Sequence, residues 1–242
     1  MTDGADVRVE RSAKRVRAFV AGVAVVDTVQ PLLVWEHRYY PAYYLPAADV
    51  RMDLLVPTGT TRHSANLGEA TYFSVTVGDT TRPDAAWHYG ASAVEAIRDH
   101  VRFDWDSMDA WFEEDEEVFV HVRSPYTRVD ILPSSRRVRI EADGVVLADS
   151  THAHVLFETG LPPRWYVPKT DVRMDLLVES DSLTRCPYKG EAEYWSVSVG
   201  DRAIEDAAWS YRTPLRESQT IVGLLAFYTD RVDVFVDGSR IG

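Results

Sequence analysis

The residues best suited to chemistry stand close together in the second half of the chain. Cys186 has Arg185 beside it and Lys189 three positions on. Positive charge favours the thiolate, the nucleophilic form of cysteine, so this setting suits covalent catalysis. Lys189 by itself suits binding a carboxylate or phosphate, or forming a Schiff base where it is desolvated. Glu158 is the candidate acid–base partner. Tyr166, Tyr194, Trp195 and Tyr228 are candidate pocket walls, with Arg173 and Trp209 as further ligand contacts. The plain alternative makes Cys186 a small buried hydrophobe and Lys189 a solvated turn residue.

His152 and His154 form the one close histidine pair, and on a strand that spacing puts both on one face, compatible with a metal. No third ligand stands out, so two surface histidines are expected and no metal. There is no zinc-type cysteine pair, no Gly-x-Ser-x-Gly elbow and no phosphate-binding Gly-Lys-Ser/Thr loop. No cofactor is expected.

What positions these residues is a duplication. Slid against itself by 122 positions, the sequence matches Asp49–Val56 to Asp171–Val178 letter for letter. Gly68-Glu69-Ala70 meets Gly190-Glu191-Ala192, and Asp84-Ala85-Ala86-Trp87 meets Asp206-Ala207-Ala208-Trp209. Between residues 15–90 and 137–212, 32 of 76 positions are identical. A two-residue slip then aligns Phe103 with Phe227. The reading is an N-terminal tail (1–14), a first repeat (15–122), a linker (123–136) and a second repeat (137–242). Each repeat is long enough to own a core.

The duplication also sorts the candidates. Residues kept in both copies are those the fold alone can require: the glycines for turns, Trp87/Trp209 for a core, and Arg51/Asp53 with Arg173/Asp175 as internal ion pairs. Cys186 and Lys189 occur only in the second copy, where the first has Ser64 and Leu67. The functional pocket is therefore expected in the second repeat.

Val16–Val20 and Val23–Val26 read as a hairpin, as do Val138–Ala142 and Val145–Ala148 around Asp143-Gly144, a type I′ turn pair. Leu32–Glu36, Tyr43–Leu45, Ala70–Val77, Met108–Phe112 and Val232–Val236 read as strands. Ser92–Val101 has apolar residues at helical spacing, with Ser92 as N-cap. Glu113-Glu114-Asp115-Glu116-Glu117 reads as a solvated turn. The fold class is mostly β (β-rich α+β): two small antiparallel rolled-sheet or barrel-like domains, related as a pseudo-two-fold pair. The order of a dinucleotide-binding fold is missing.

The net charge of −12 argues against nucleic acid, whose binding begins with neutralising phosphates. A single cysteine excludes an internal disulfide and fits a reducing compartment. Residues 1–6 lack a signal-peptide pattern, and no apolar run has the length of a membrane span. The expectation is a cytoplasmic protein, monomer or homodimer, without a membrane partner.

The run Thr184-Arg185-Cys186-Pro187-Tyr188-Lys189-Gly190-Glu191-Ala192-Glu193-Tyr194-Trp195-Ser196, with Tyr166-Val167-Pro168, Asp171-Val172, Ala208-Trp209 and Ala226-Phe227-Tyr228, resembles the bacterial and fungal domain-of-unknown-function family 427. The resemblance covers nearly the whole chain as a tandem pair, and Asp109–Asp130 resembles the tail that many members carry. It implies a β-rich, soluble protein without an established reaction. A nucleotidyltransferase association attached to the family would need a Gly-Ser turn followed by paired Asp residues, which this sequence lacks. Two functional readings stand. One is an enzyme acting on a small polar metabolite through Cys186, Lys189 and Glu158. The other is a non-catalytic ligand-binding or interaction module in which Cys186 is inert.

Overall fold

The computed structural model describes residues 7–241, so residues 1–6, on which the signal-peptide reading falls, lie outside it. The chain divides into two compact units, residues 1–124 and 125–242. In chain order the first contains β1 (Arg8–Arg11), β2 (Val16–Val20), β3 (Val23–Thr28), β4 (Leu32–Trp35), β5 (Ala42–Pro46), β6 (Leu55–Ser64), β7 (Gly68–Val77), β8 (Thr80–His88), β9 (His100–Phe103), β10 (Ala110–Glu113) and β11 (Glu116–Val118). The second contains β12 (Val129–Ser134), β13 (Val138–Ala142), β14 (Val145–Ser150), β15 (Ala153–Glu158), β16 (Arg164–Val167), β17 (Leu177–Cys186), β18 (Gly190–Val199), β19 (Arg202–Ser210), β20 (Leu225–Phe227), β21 (Asp233–Val236) and β22 (Ser239–Ile241).

Each unit holds a seven-stranded and a four-stranded antiparallel sheet, in matching order: β1-β4-β5-β9-β8-β7-β6 with β11-β10-β2-β3, and β12-β15-β16-β20-β19-β18-β17 with β14-β13-β21-β22. Neither closes into a barrel. The four-stranded sheet packs one face onto the seven-stranded one. In the second unit this core joins Val138, Ile140 and Leu147 to Val167, Trp195, Val197 and Phe227. In β2 and β13 every other residue is buried, the period expected of a strand with one wet face.

The two β-hairpins that open the repeats turn on Ala21-Gly22 and Asp143-Gly144, with φ of 50° and 76°, and 49° and 78°. Positive φ at both positions is what a type I′ turn demands.

Several segments differ from their sequence reading. Ser92–Val101 is not an α-helix: its helical part is one 3-10 turn, Glu95–Ile97, and β9 begins at His100. Val101 and Phe103 are claimed by the sheet, where β9 bonds to β5 and β8. The Ser92 hydroxyl accepts from the Val94 amide at 3.1 Å, a local turn and not a helix cap. The segment read as a linker carries β12, an edge strand paired along β15, and the segment read as a tail carries β1, paired to β4. In the acidic run, Glu113 is buried (6% exposed), accepting from Tyr43 Oη at 2.7 Å and Lys14 Nζ at 2.5 Å.

One fold-stabilising contact recurs in both units. Thr28 donates to Asp49 and Ser150 to Asp171, each at 2.6 Å. The Ser150 hydroxyl leads the causes that hold the Asp171 carboxyl below its ordinary value. A carboxyl with a lowered folded-state pKa contributes stability above its unfolded pKa and loses it as pH falls through the folded value. Ser150→Ala should therefore cost roughly 1–2 kcal/mol at pH 7, with the deficit shrinking in acid as Asp171 protonates. Chemical denaturation of both proteins from pH 7 to 3 checks this, and a pH-independent deficit would assign the loss to packing.

Candidate functional site

The face of the second seven-stranded sheet turned away from the four-stranded one carries most of the sequence candidates. Strand register sets Tyr166 opposite Ala226, Ala226 opposite Trp209, and Trp209 opposite Tyr194, a row across β16, β20, β19 and β18. Ile221, from the 3-10 turn Arg216–Ile221, packs into the same cluster with Tyr211 and Leu156. Trp209 Nε1 donates to the Tyr166 hydroxyl at 3.1 Å, and its ring lies 4.4 Å from that of Tyr228. The Tyr194 hydroxyl shares hydrogen bonds with Thr184 Oγ1 at 2.7 Å and with Tyr228 Oη at 3.5 Å.

Above this row Lys189 Nζ donates to Glu158 Oε2. Their side chains are 12% and 9% exposed, so the pair is largely removed from water. The turn that presents Lys189 is fixed at both ends. Its amide meets the Cys186 carbonyl at 3.4 Å, and its carbonyl accepts from the Leu215 amide at 3.0 Å. Gly190, at φ +100°, lets the chain pass so close to Thr213 that an added Cβ would lie 3.2 Å from its carbonyl oxygen.

Burial raises the Tyr166 and Tyr211 hydroxyls far above the ordinary tyrosine value, with nearby Cys186 and Glu158 adding to both shifts. Tyr228 is pushed up to about 12, first by burial and then by its hydrogen bond with Tyr194. These hydroxyls stay protonated at neutral pH and serve as neutral hydrogen-bonding groups. Cys186 is half-buried at the end of β17.

Glu158, Tyr166, Cys186, Lys189, Tyr194, Trp209 and Tyr228 are thus brought together. Arg173 and Trp195 are not. Arg173 lies exposed in a bidentate pair with Asp175 (2.8 and 2.6 Å), and Arg51 repeats this with Asp53, so these are surface pairs and not internal ones. Trp195 alternates with Tyr194 along β18 and enters the core between the sheets. His152 precedes β15 and lies exposed, 3.6 Å from Asp171, while His154 sits on the strand with a buried Nδ1. Among the described residues no three of His, Cys, Asp and Glu gather as a metal site.

Three residues escaped sequence reasoning. Tyr211 is kept as Tyr89 and was readable from the repeat. Arg164 places its guanidinium 5.9 Å from the Trp209 ring. Ala226 is the third, and its meaning lies in the other copy. There β8 and β9 set Arg102 opposite Trp87, where the second unit has Ala226 opposite Trp209. Arg102 covers the Trp87 ring at 4.7 Å and pairs with Glu36 at 2.6 Å. Tyr44 also donates to Glu36, at 2.9 Å. Where Lys189 stands in the second unit, the first has Leu67, 1% exposed.

The same glutamate is therefore neutralised from mid-sheet by an arginine in one unit, and from the hairpin turn by a lysine in the other. Fold and site together define a protein of two antiparallel two-sheet units whose equivalent faces carry different polar clusters. The family profile described as a domain of unknown function (DUF427) matches residues 8–114 and 130–238, and the chain belongs to that family, which it carries twice. No curated protein matches the chain. Among the described residues no helix is long and apolar enough to cross a membrane.

Proposed function

We propose that the second unit handles a small polar molecule at the Lys189–Glu158 pair, with Cys186 and the Tyr194 and Tyr228 hydroxyls as neighbouring groups. The observation that carries this reading is the exchange between equivalent faces. The first unit satisfies its glutamate with the fixed charge of Arg102 and seals the turn with Leu67. The second withdraws the mid-sheet side chain to Ala226 and supplies an amine from the same turn that carries the single thiol, three residues before it. Guanidinium is charged at any working pH, whereas an amine can exchange a proton or form a covalent bond. Acid–base or covalent work by Lys189, with Glu158 as its proton partner, is the chemistry such a change makes available.

A non-catalytic binding site is the second reading. It is favoured by the near-closure of the ion pair, which suits holding a ligand group in place of Lys189 or Glu158 more than turnover.

Two measurements separate the readings. Thermal-shift screening against small carboxylic acids, phosphates and aldehydes should find compounds that stabilise the wild type and not the Glu158→Gln/Lys189→Met double variant. Equal responses would remove the pair from ligand binding. Iodoacetamide labelling of the single thiol then tests Cys186. A lysine that assists the thiol as a nucleophile should make the folded wild type label faster than the double variant. Unchanged labelling would leave Cys186 inert and the binding reading in front.

A further inference from the structure

An arginine changes place between the units along with Lys189. Ala42 pairs with Val34 in the first unit, and Arg164 pairs with the equivalent Leu156 in the second, so Arg164 stands where the first unit has alanine. It lies two residues before Tyr166 on β16 and shares its outward face. Both units therefore lay a guanidinium over the shared tryptophan: Arg102 at 4.7 Å from the Trp87 ring, Arg164 at 5.9 Å from the Trp209 ring. They differ in what neutralises it. Arg102 is paired with Glu36 at 2.6 Å. The equivalent Glu158 is taken by Lys189, and the half-buried Arg164 has no hydrogen bond or ion pair with any described residue.

The neighbouring corner changes in the same sense. The slip that aligns Phe103 with Phe227 sets Asp104 against Tyr228. Their amides donate to the equivalent carbonyls of Ala85 and Ala207, at 2.8 and 3.0 Å. In the first unit the Asp104 carboxylate accepts from the Ser107 amide and hydroxyl, at 3.0 and 2.7 Å. In the second a phenol replaces that carboxylate, and Arg231 replaces Ser107. Arg231 lies over the Tyr228 ring at 4.7 Å and donates to the carbonyls of Glu205 and Asp206, at 2.7 and 2.8 Å. In a chain of net charge −12, this corner has lost a carboxylate and gained two guanidiniums.

The corner is continuous with the Lys189–Glu158 pair. Beyond the burial that raises it, the Tyr166 hydroxyl is raised by Cys186 and Glu158 and lowered by Arg164, so both ends act on one phenol. A guanidinium offers paired N–H donors that match two oxygens of a carboxylate or phosphate, and the indole beneath it limits its movement. The Tyr228 hydroxyl stays protonated and can donate to the same anion.

We propose that Arg164 is the anion-binding residue of the second unit, so that the molecule handled there carries a carboxylate or phosphate group held over Trp209 beside Tyr228, an assignment that rests on Lys189 and Glu158 forming the other end of the same site. Calorimetric titration of the full chain with benzoate, phenyl phosphate and uncharged benzamide tests it. The wild type should bind at least one of the anions at one site per chain, and more tightly than benzamide; the tighter anion identifies the group. Arg164→Ala, which the equivalent position of the first unit tolerates, should weaken that binding by about tenfold or more, equivalent to about 1.4 kcal/mol. Arg164→Lys should recover only part, since it keeps the charge and loses the paired donors. The absence of any preference for the anions over benzamide overturns the proposal, as does an Arg164→Ala protein that binds them like the wild type. If the Glu158→Gln/Lys189→Met protein then loses the anion, the anion sits on Lys189 and the reading of the pair survives. A double variant that binds like the wild type, with binding lost in Arg164→Ala, upholds the anion site and removes the pair from it.

Discussion

Lys189→Met should destabilise the second unit by about 3–5 kcal/mol, because it leaves the Glu158 carboxylate buried without its counter-charge. The pair is 12% and 9% exposed, so water repairs little of the loss. The cost comes from the stranded charge more than from the attraction removed. Glu158→Gln/Lys189→Met, which takes away both charges, should recover most of the stability.

The first unit suggests a stricter control. Lys189→Leu alone should be as damaging as Lys189→Met, and Lys189→Leu/Ala226→Arg should restore much of the loss by rebuilding the Leu67–Arg102 arrangement. Guanidinium denaturation followed by amide exchange in the second unit measures all of these without assuming that the two units unfold together. A loss below about 1 kcal/mol for Lys189→Met would mean the pair behaves as a solvated surface bridge, which the burial argument forbids.

Trp209→Ala should cost a similar amount, about 3–5 kcal/mol, for a different reason. The indole is 7% exposed, lies edge-on to Tyr166 at 6.1 Å and 84°, and contacts Tyr228. Its removal opens a cavity at the centre of the row. Trp209→Phe keeps much of that volume but deletes the Nε1 donor to the Tyr166 hydroxyl, so a further loss of about 1 kcal/mol beyond the packing change is expected. The donor lowers the otherwise raised Tyr166 hydroxyl, so the phenol should titrate still higher in Trp209→Phe. Tyr166→Phe in the Trp209→Phe background should then be nearly neutral. A double-mutant cycle with no coupling would show that the hydrogen bond contributes nothing net.

Some of this was legible in the residues. A repeat of 32 identities in 76 positions implies two like units, because the same pattern of apolar positions must bury the same faces. The Asp-Gly pair marked its hairpin because few other residues tolerate positive φ at both turn positions. Comparing the copies also pointed to Lys189 and Cys186, and the structure places them with Glu158, Tyr166, Tyr194 and Tyr228.

The helix over Ser92–Val101 failed because helical spacing in a ten-residue window is weak evidence against a sheet that needs Val101 and Phe103 as ladder partners. Trp195 was grouped with Tyr194 because both are aromatic, yet neighbours on a strand point to opposite faces.

By itself, then, the sequence determined the duplication, the β class and the exchange of Leu67 for Lys189, since these rest on residue identity and local geometry. Tertiary structure alone decided which face of the long sheet carries the cluster, because both of its faces are covered and the apolar pattern marks both as inside. The two-residue slip that aligns Phe103 with Phe227 already makes Arg102 and Ala226 counterparts; strand pairing adds that each lies opposite the shared tryptophan. The closeness of Glu158 to Lys189, 31 positions apart in the chain, is likewise set by how β15 and the β17–β18 turn meet over the sheet.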